Sequence, residues 1–141
     1  MRALIVDAGA LYGAADANDP DPAAIVATLE EWPGELVVSA FTAAEADHLV
    51  LSRLGVDAEL ALLDDLAVTY TVQALDARGL KTARKLCARY RDLQMGLADA
   101  SMVVLADQWS TRSLATFDHR HFRTVTALDG EPFTLLPADG D

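Results

Sequence analysis

The stretch Leu4-Ile5-Val6-Asp7-Ala8-Gly9 decides the predicted fold. Three apolar residues, two of them β-branched, lead directly into one acid and then into small residues. A short apolar run bounded by turn residues is typical of a fully buried strand in a parallel sheet. In open α/β sheets, ligands bind beyond the carboxyl ends of the strands. Asp7 is therefore a candidate site residue, although an Asp here can also serve only as the N-cap of the next helix.

Strands and helices alternate along the rest of the chain. After a first strand at residues 3–7, the pattern predicts strands at residues 36–39, 68–72, 113–117 and 133–136. Helices are predicted at about residues 8–15, 23–31, 42–54, 57–66, 74–90 and 97–106, with a loop at 16–22. Alternating elements favour a parallel sheet with helices on both faces, and right-handed crossovers favour strand order 3-2-1-4-5. We therefore predict a three-layer α/β/α domain with four to five parallel strands.

Composition limits both the architecture and the class of partner. A chain of 141 residues without repeats or linkers fits one domain over residues 1–141, and we expect the tail after about residue 137 to be frayed. No apolar run approaches the roughly 18 residues of a membrane span, and Asp7 interrupts the first run too early for a signal peptide. With Cys87 as the single cysteine, neither an internal disulfide nor a cysteine-based zinc site can form. We expect a cytoplasmic protein.

The net charge of −11 argues against a generic nucleic-acid binder and favours cationic partners, such as metal ions or a basic protein segment. Basic residues nevertheless concentrate between residues 78 and 91. In this window Lys81, Arg84, Lys85 and Arg89 fall on one side of a helix. Two interpretations stay open for that side, a solvated surface or a contact with an RNA backbone.

Four acids are predicted to meet at one edge of the sheet. Asp7 ends the first strand and Asp118 follows the fourth, while Glu45 and Asp99 lie near the starts of helices whose N-termini face the same edge. Close carboxylates repel one another by about 1–4 kcal/mol per pair, and a cation offsets that cost. Oxygen ligands suit Mg²⁺ or Mn²⁺. The sequence therefore predicts a metal site built from these four acids.

Each acid also has a structural explanation. Glu45 could complete a capping box with Thr42, Asp99 could stabilise a helix dipole, and Asp118 could belong to an ordinary polar turn. Any one of these explanations is sound alone. The coincidence of all four at a single edge favours a role in chemistry.

Acids that hold Mg²⁺ can activate water and hold a phosphate for in-line attack, which is the chemistry of a hydrolytic nuclease. Other classes fit less well. Phosphate-binding glycine loops are absent, and neither Ser101 nor His119 lies in a nucleophile elbow. A receiver domain needs an acidic pair and a late lysine, but Asp7 stands alone and no lysine follows Lys85. A phosphatase that uses an Asp-x-Asp motif is excluded, because Asp7-Ala8-Gly9 lacks the second acid. A binding module without activity stays open.

Four segments carry a family resemblance: Leu4-Ile5-Val6-Asp7-Ala8-Gly9, Ala43-Ala44-Glu45-Ala46-Asp47, Gly96-Leu97-Ala98-Asp99-Ala100-Ser101 and Ala115-Thr116-Phe117-Asp118-His119-Arg120-His121-Phe122. Together they resemble a PIN-domain ribonuclease, and most closely a VapC-type toxin of a bacterial type II toxin–antitoxin system. The resemblance extends over nearly the whole chain, including Phe133-Thr134-Leu135-Leu136-Pro137.

The resemblance implies an activity, a site and partners. It implies that Asp7, Glu45, Asp99 and Asp118 are the catalytic and metal-binding acids of a Mg²⁺- or Mn²⁺-dependent endoribonuclease, and that Thr116 contacts the site through its hydroxyl. It implies structured RNA such as tRNA or rRNA as the substrate. It also implies a homodimer that joins a cognate antitoxin in a heterotetramer or larger assembly, with an antitoxin Arg taking the place of the metal. A PIN-fold RNA-processing nuclease is the alternative within the same fold.

The remaining polar and aromatic residues receive simpler predictions. The basic and imidazole side chains just behind Asp118 are placed to contact RNA; they are His119, Arg120, His121 and Arg123. Asp47 and His48 are predicted to lie on the surface or behind the metal ligands. Trp32 and Trp109 are predicted to pack against the core.

Overall fold

The computed structural model describes residues 2–16 and 22–140. Its strands are β1 (Ala3–Val6), β2 (Glu35–Ser39), β3 (Thr71–Gln73), β4 (Ser113–Ala115) and β5 (Thr134–Leu136). Its helices are α1 (Ala8–Ala15), α2 (Pro22–Glu31), α3 (Ala40–Leu54), α4 (Val56–Val68), α5 (Ala77–Arg89), α6 (Leu97–Gln108) and α7 (His119–Phe122), with a 3₁₀ turn at Arg91–Leu93. Most of the loop predicted at 16–22 lies outside the described residues.

The strands form one parallel sheet in the order β3-β2-β1-β4-β5, which confirms the predicted topology. Ile5 of β1 lies opposite Val37 of β2 on one side and Leu114 of β4 on the other. The first and fourth strands are therefore neighbours. The residues that directly follow β1 and β4 therefore lie side by side at the carboxyl edge of the sheet.

Alternate residues of each strand face opposite layers of the fold. Ala3 and Ile5 belong to a core shared with α5 and α6, whereas Leu4 and Val6 belong to a core shared with the α1–α4 layer. The middle of α6, residues 101–106, is buried all round, as its apolar sequence predicts. This arrangement is the predicted three-layer α/β/α architecture.

The third strand lies later in the chain than predicted. The β-branched and aromatic pattern of residues 68–72 favours a strand, but Val68 is the last residue of α4 and is 86% exposed. The N–H of Thr69 donates to the carbonyl of Asp65 and so extends the helical hydrogen bonding by one more residue. Only Thr71–Gln73 pairs with β2. Local β propensity is a weak signal where a preceding helix can continue.

The segment after Pro137 forms hydrogen bonds with the body of the fold, and the frayed tail stays a prediction. The Asp139 carboxylate accepts two hydrogen bonds from the Arg123 guanidinium, at 2.6 and 2.8 Å, and one from the Leu135 N–H at 2.7 Å. A single side chain thus ties the tail to both β5 and the segment behind α7. Among the described residues, no helix is both long and apolar enough to cross a membrane.

Candidate metal centre at the carboxyl edge of the sheet

Asp7 lies at the junction of β1, β4 and α1. Its main-chain N–H donates to the carbonyl of Ala115 at 2.9 Å, which continues the pairing of β1 with β4. One carboxylate oxygen accepts the Ala8 N–H at 2.7 Å, and the other accepts the Thr116 hydroxyl at 2.7 Å. Asp7 is therefore the N-cap of α1, yet its second oxygen is positioned by β4. The hydroxyl contact of Thr116 agrees with the prediction for that residue.

The ionised form of Asp7 is disfavoured in the fold. The side chain is 8% exposed, and burial above all raises its pKa from 3.8 to about 6. The Thr116 hydroxyl and the Ala8 N–H lower this pKa, but the negative charges of Asp99 and Glu45 raise it further. The electrostatic influence of both other acids indicates that they face the same region.

Asp99 occupies the first turn of α6, where Gly96 is the N-cap. One of its carboxylate oxygens lies 2.7 Å from Nδ1 of His121. Burial raises the pKa of Asp99, the hydrogen bond and charge of His121 lower it, and the charge of Asp118 raises it. The net effect is a raised pKa, so the His121 contact only partly compensates for burial and for the neighbouring acid.

Glu45 reaches the site from the second turn of α3, not from the first. The N-cap of α3 is Ser39, whose hydroxyl oxygen accepts the N–H groups of Phe41 and Thr42. The proposed capping box between Thr42 and Glu45 is therefore wrong, because Thr42 already lies inside the helix. Partial burial of the Glu45 carboxyl, followed by the charge of Asp99, raises its pKa.

Two buried serines join the helices that carry these acids. The Ser101 hydroxyl of α6 donates to the carbonyl of Ala98 at 2.6 Å, and its oxygen lies 2.6 Å from the Ser39 hydroxyl oxygen. Because Ser101 uses its proton on Ala98, Ser39 is the donor between the two serines. The N-cap of α3 is thus bonded directly to α6. This contact fixes the helix of Glu45 against the helix of Asp99.

Asp118 follows β4 and caps the short helix α7. One of its oxygens accepts the main-chain N–H of His121 at 3.0 Å, and its own N–H donates to the Thr116 hydroxyl oxygen at 2.9 Å. The other oxygen lies 3.0 Å from Nδ1 of His121. Phe122 anchors this turn, since it is 1% exposed and packs edge-to-face on Phe133.

The structure brings a histidine into the cluster that the sequence predicts to be built from acids alone. One ligand atom from each of Asp99, Asp118 and His121 lies within 4.8 Å of the others. Asp7 and Glu45 adjoin this group through their electrostatic coupling to Asp99. The signal for His121 was its spacing of three residues from Asp118, which places both on one side of a helical turn. The sequence predicts an RNA contact for His121 instead.

The donor atoms fit a divalent cation. Carboxylates with raised pKa values, gathered at one edge and facing solvent, gain stability from a positive charge placed between them. Asp99 and His121 are each 18% exposed and Asp118 is 35% exposed, so the cluster is shielded yet open to an ion. The set of carboxylate oxygens and one imidazole nitrogen is chemically suited to Mg²⁺ or to a first-row transition ion.

The other predicted residues lie apart from this cluster. His119 and Arg120 are exposed, and Arg123 is bound to Asp139. Asp47 interacts with Glu59 of α4, and His48 is exposed. Both tryptophans pack against the core, as predicted. In addition, the Arg2 guanidinium lies 4.6 Å from the centre of the Trp32 ring, and Trp109 donates to the Gln73 side chain at 3.0 Å.

Comparison with known proteins agrees with this architecture. The PIN domain family model matches residues 4–128. Ribonuclease VapC26 of Mycobacterium tuberculosis (strain ATCC 25618 / H37Rv) is 40% identical over 135 residues, which is 95% of this chain and 100% of that protein. The crystal structure of Mycobacterium tuberculosis VapC20, a sarcin–ricin loop cleaving toxin, matches with a TM-score of 0.75 at 18% identity, over 82% of this chain and 89% of that chain, which shows a common fold. The chain therefore belongs to the PIN-domain family and, within it, to the VapC-type ribonuclease toxins.

Proposed function

We propose that this protein is a metal-dependent endoribonuclease that hydrolyses phosphodiester bonds at the carboxyl edge of its sheet. One observation carries the proposal: one ligand atom from each of Asp99, Asp118 and His121 lies within 4.8 Å of the others, and the charges of Asp99 and Glu45 act on the buried carboxylate of Asp7. Such repulsion is a cost to the fold unless a cation and a phosphate substrate make use of it. We further propose that residues 1–141 form one nuclease domain.

The four acids have different positions in this proposal. Asp99 and Asp118 have ligand atoms within 4.8 Å of each other and would hold Mg²⁺ or Mn²⁺, and Asp7 and Glu45 add negative charge beside them. When bound, the cation supplies positive charge for the phosphate and activates water for attack. Thr116 positions two of the acids at once, since its hydroxyl donates to Asp7 and accepts the Asp118 N–H. The core behind Asp7 excludes water from its inner side.

RNA binding needs a positive surface, and α5 offers one. Lys81, Arg84 and Lys85 are exposed, and within the described residues none of them forms an ion pair. The helix packs on α6 and is joined to it through the 3₁₀ turn at residues 91–93. The basic helix thus leads into the helix that bears Asp99. We propose that this surface contacts the RNA backbone, which would make binding dependent on salt concentration.

The substrate is proposed to be a structured RNA, either tRNA or rRNA. VapC20, which has the same fold, is described as cleaving the sarcin–ricin loop. A cognate antitoxin is the proposed inhibitor, because an acidic edge attracts a basic segment and can pair with an Arg side chain. We propose that the toxin is a homodimer and joins the antitoxin in a heterotetramer or larger assembly. The apolar residues exposed on α4 are consistent with such contacts; they include Leu60, Leu63 and Val68.

Cleavage of a panel of purified RNAs tests the proposed activity. Wild-type protein is expected to cut at internal positions in Mg²⁺ or Mn²⁺ and to be inactive in excess EDTA. Asp99→Asn should reduce cleavage by at least about a hundredfold, because it removes one charge from the ion site. Asp107→Asn is the matched control, since Asp107 is exposed near the other end of α6. Equal cleavage in EDTA would contradict the metal mechanism, and RNA binding without cleavage in any metal would indicate an inactive binding module.

A further inference from the structure

A single nitrogen of His121 faces the carboxylates of both Asp99 and Asp118. Its Nδ1 lies 2.7 Å from Asp99 Oδ2 and 3.0 Å from Asp118 Oδ2. The ring is 18% exposed, and the main chain of His121 is fixed by the bond from its N–H to Asp118 Oδ1. Phe122, the next residue, is buried in the core. The imidazole is therefore held in this position by the backbone and by packing as well as by its own hydrogen bonds.

The distances resemble those between ligands of one ion. Adjacent ligands in an octahedral shell lie about 3 Å apart when each is about 2.1 Å from the metal. The separations of Nδ1 from the two carboxylate oxygens are 2.7 and 3.0 Å, and the three atoms lie within 4.8 Å of one another. A histidine that only positioned Asp99 would need to contact Asp99 alone. The Nδ1 atom of His121 instead lies close to the carboxylates of both Asp99 and Asp118.

We propose that Nδ1 of His121 is a ligand of the metal held by Asp99 and Asp118, and that it makes the site prefer Mn²⁺ to Mg²⁺. This inference rests on the metal-dependent function proposed above and goes beyond the four acids. Mg²⁺ prefers carboxylate, carbonyl and water oxygens, whereas first-row transition ions also accept imidazole nitrogen. The imidazole nitrogen therefore increases the affinity for Mn²⁺ much more than the affinity for Mg²⁺.

Pulsed EPR of Mn²⁺ bound to the wild-type protein tests the ligand directly. The spectrum should show coupling to ¹⁴N, and labelling all histidines with ¹⁵N should change that coupling to the ¹⁵N pattern. His121→Asn should abolish the coupling and weaken Mn²⁺ binding by about tenfold or more, with less than about a threefold change for Mg²⁺. His119→Asn is the matched control, because His119 is exposed in the same short helix and should leave both readouts unchanged. The His121→Asn variant should melt in EDTA close to the wild type, which shows that the fold is retained.

The outcomes separate this inference from the proposed function. Mn²⁺ that binds wild-type protein without nitrogen coupling would overturn the ligand role of His121 and leave metal-dependent cleavage standing. Coupling that persists in His121→Asn would assign the nitrogen to another residue and would also overturn it. Equal losses of Mn²⁺ and Mg²⁺ affinity would reject the selectivity. Failure of wild-type protein to bind either ion, with cleavage in EDTA, would contradict the proposed function itself.

Discussion

Replacing Asp7 with Asn tests whether the folded protein destabilises an ionised carboxylate at this position. Burial raises the pKa of Asp7 from 3.8 to about 6, so the folded state binds this proton more tightly than the unfolded chain does. The stability that the bound proton contributes is full below about pH 4 and is lost as the pH rises through 6. A shift of about two pKa units corresponds to about 3 kcal/mol. Ionised Asp7 should destabilise the metal-free protein by about that amount at pH 8.

Asn removes the charge but changes one hydrogen bond. Its amide oxygen can still accept the Ala8 N–H, while its NH₂ group faces the Thr116 hydroxyl, which must then accept instead of donating. This rearrangement costs about 1 kcal/mol at every pH. The relief of charge is worth about 3 kcal/mol at pH 8 and about 1.5 kcal/mol at pH 5. Asp7→Asn should therefore be more stable than wild type by about 2 kcal/mol at pH 8 and by about 0.5 kcal/mol at pH 5.

Urea denaturation in EDTA at these two pH values measures the effect. Both values lie above the isoelectric point of about 4.5, so the protein carries a net negative charge at each. Asp107→Asn is the control, because an exposed acid should change the free energy of unfolding by no more than about 0.5 kcal/mol at either pH. The reasoning is refuted if Asp7→Asn is less stable than wild type by the same amount at both values. That result would mean that Asp7 is only a helix N-cap.

Three further predictions concern the residues of the site and of α5, and a fourth concerns the proposed assembly. Asp99→Asn should melt in EDTA at the wild-type temperature or higher and lose the stabilisation by Mn²⁺; a lower melting temperature with the full Mn²⁺ shift would contradict its assignment. Thr116→Val should weaken Mn²⁺ binding in calorimetry, whereas Thr116→Ser should keep it; equal affinities would show that the hydroxyl does not position the acids. Lys85→Glu should lower kcat/KM for RNA several-fold at low salt and less at high salt. The control is Arg112→Glu, since Arg112 directly precedes β4, at the edge of the sheet opposite the acids. Light scattering should show a homodimer whose cleavage is blocked by a basic antitoxin segment, and a monomer that no antitoxin inhibits would contradict the proposed assembly.

The order of the strands could be predicted because it depends on features that persist over many residues. Buried apolar runs mark β1 and β2, and the handedness of crossovers then determines which strands are neighbours. The ends of elements depend on competition between a few local bonds. Helix α4 continues to Val68 although the residues that follow have a β-branched pattern. The Ser39 hydroxyl caps α3 three residues before the predicted cap at Thr42. Such competition is not visible in periodicity.

The acids of the candidate site were predictable to the extent that strand ends determine them. Asp7 follows directly from its position after a buried strand, and Asp99 follows from its place near the start of a helix whose middle is buried all round. His121 could not be placed from the sequence, because the direction of its ring depends on the single turn of α7 and on the packing of Phe122. Pattern analysis identifies which element carries a side chain, but not where a short turn directs it.

The acids of the candidate site are held together by the helices that carry them. Repulsion among the acids should drive α3 and α6 apart, but the bond between Ser39 and Ser101 joins these helices at their N-terminal ends. The helix that carries Asp99 is also buried all round from residue 101 to residue 106, so it cannot shift without opening the core on both sides. The helices therefore cannot relieve the repulsion by moving apart. Binding a proton or a cation relieves it, and above the pKa of Asp7, which burial chiefly raises, a cation is the partner that remains.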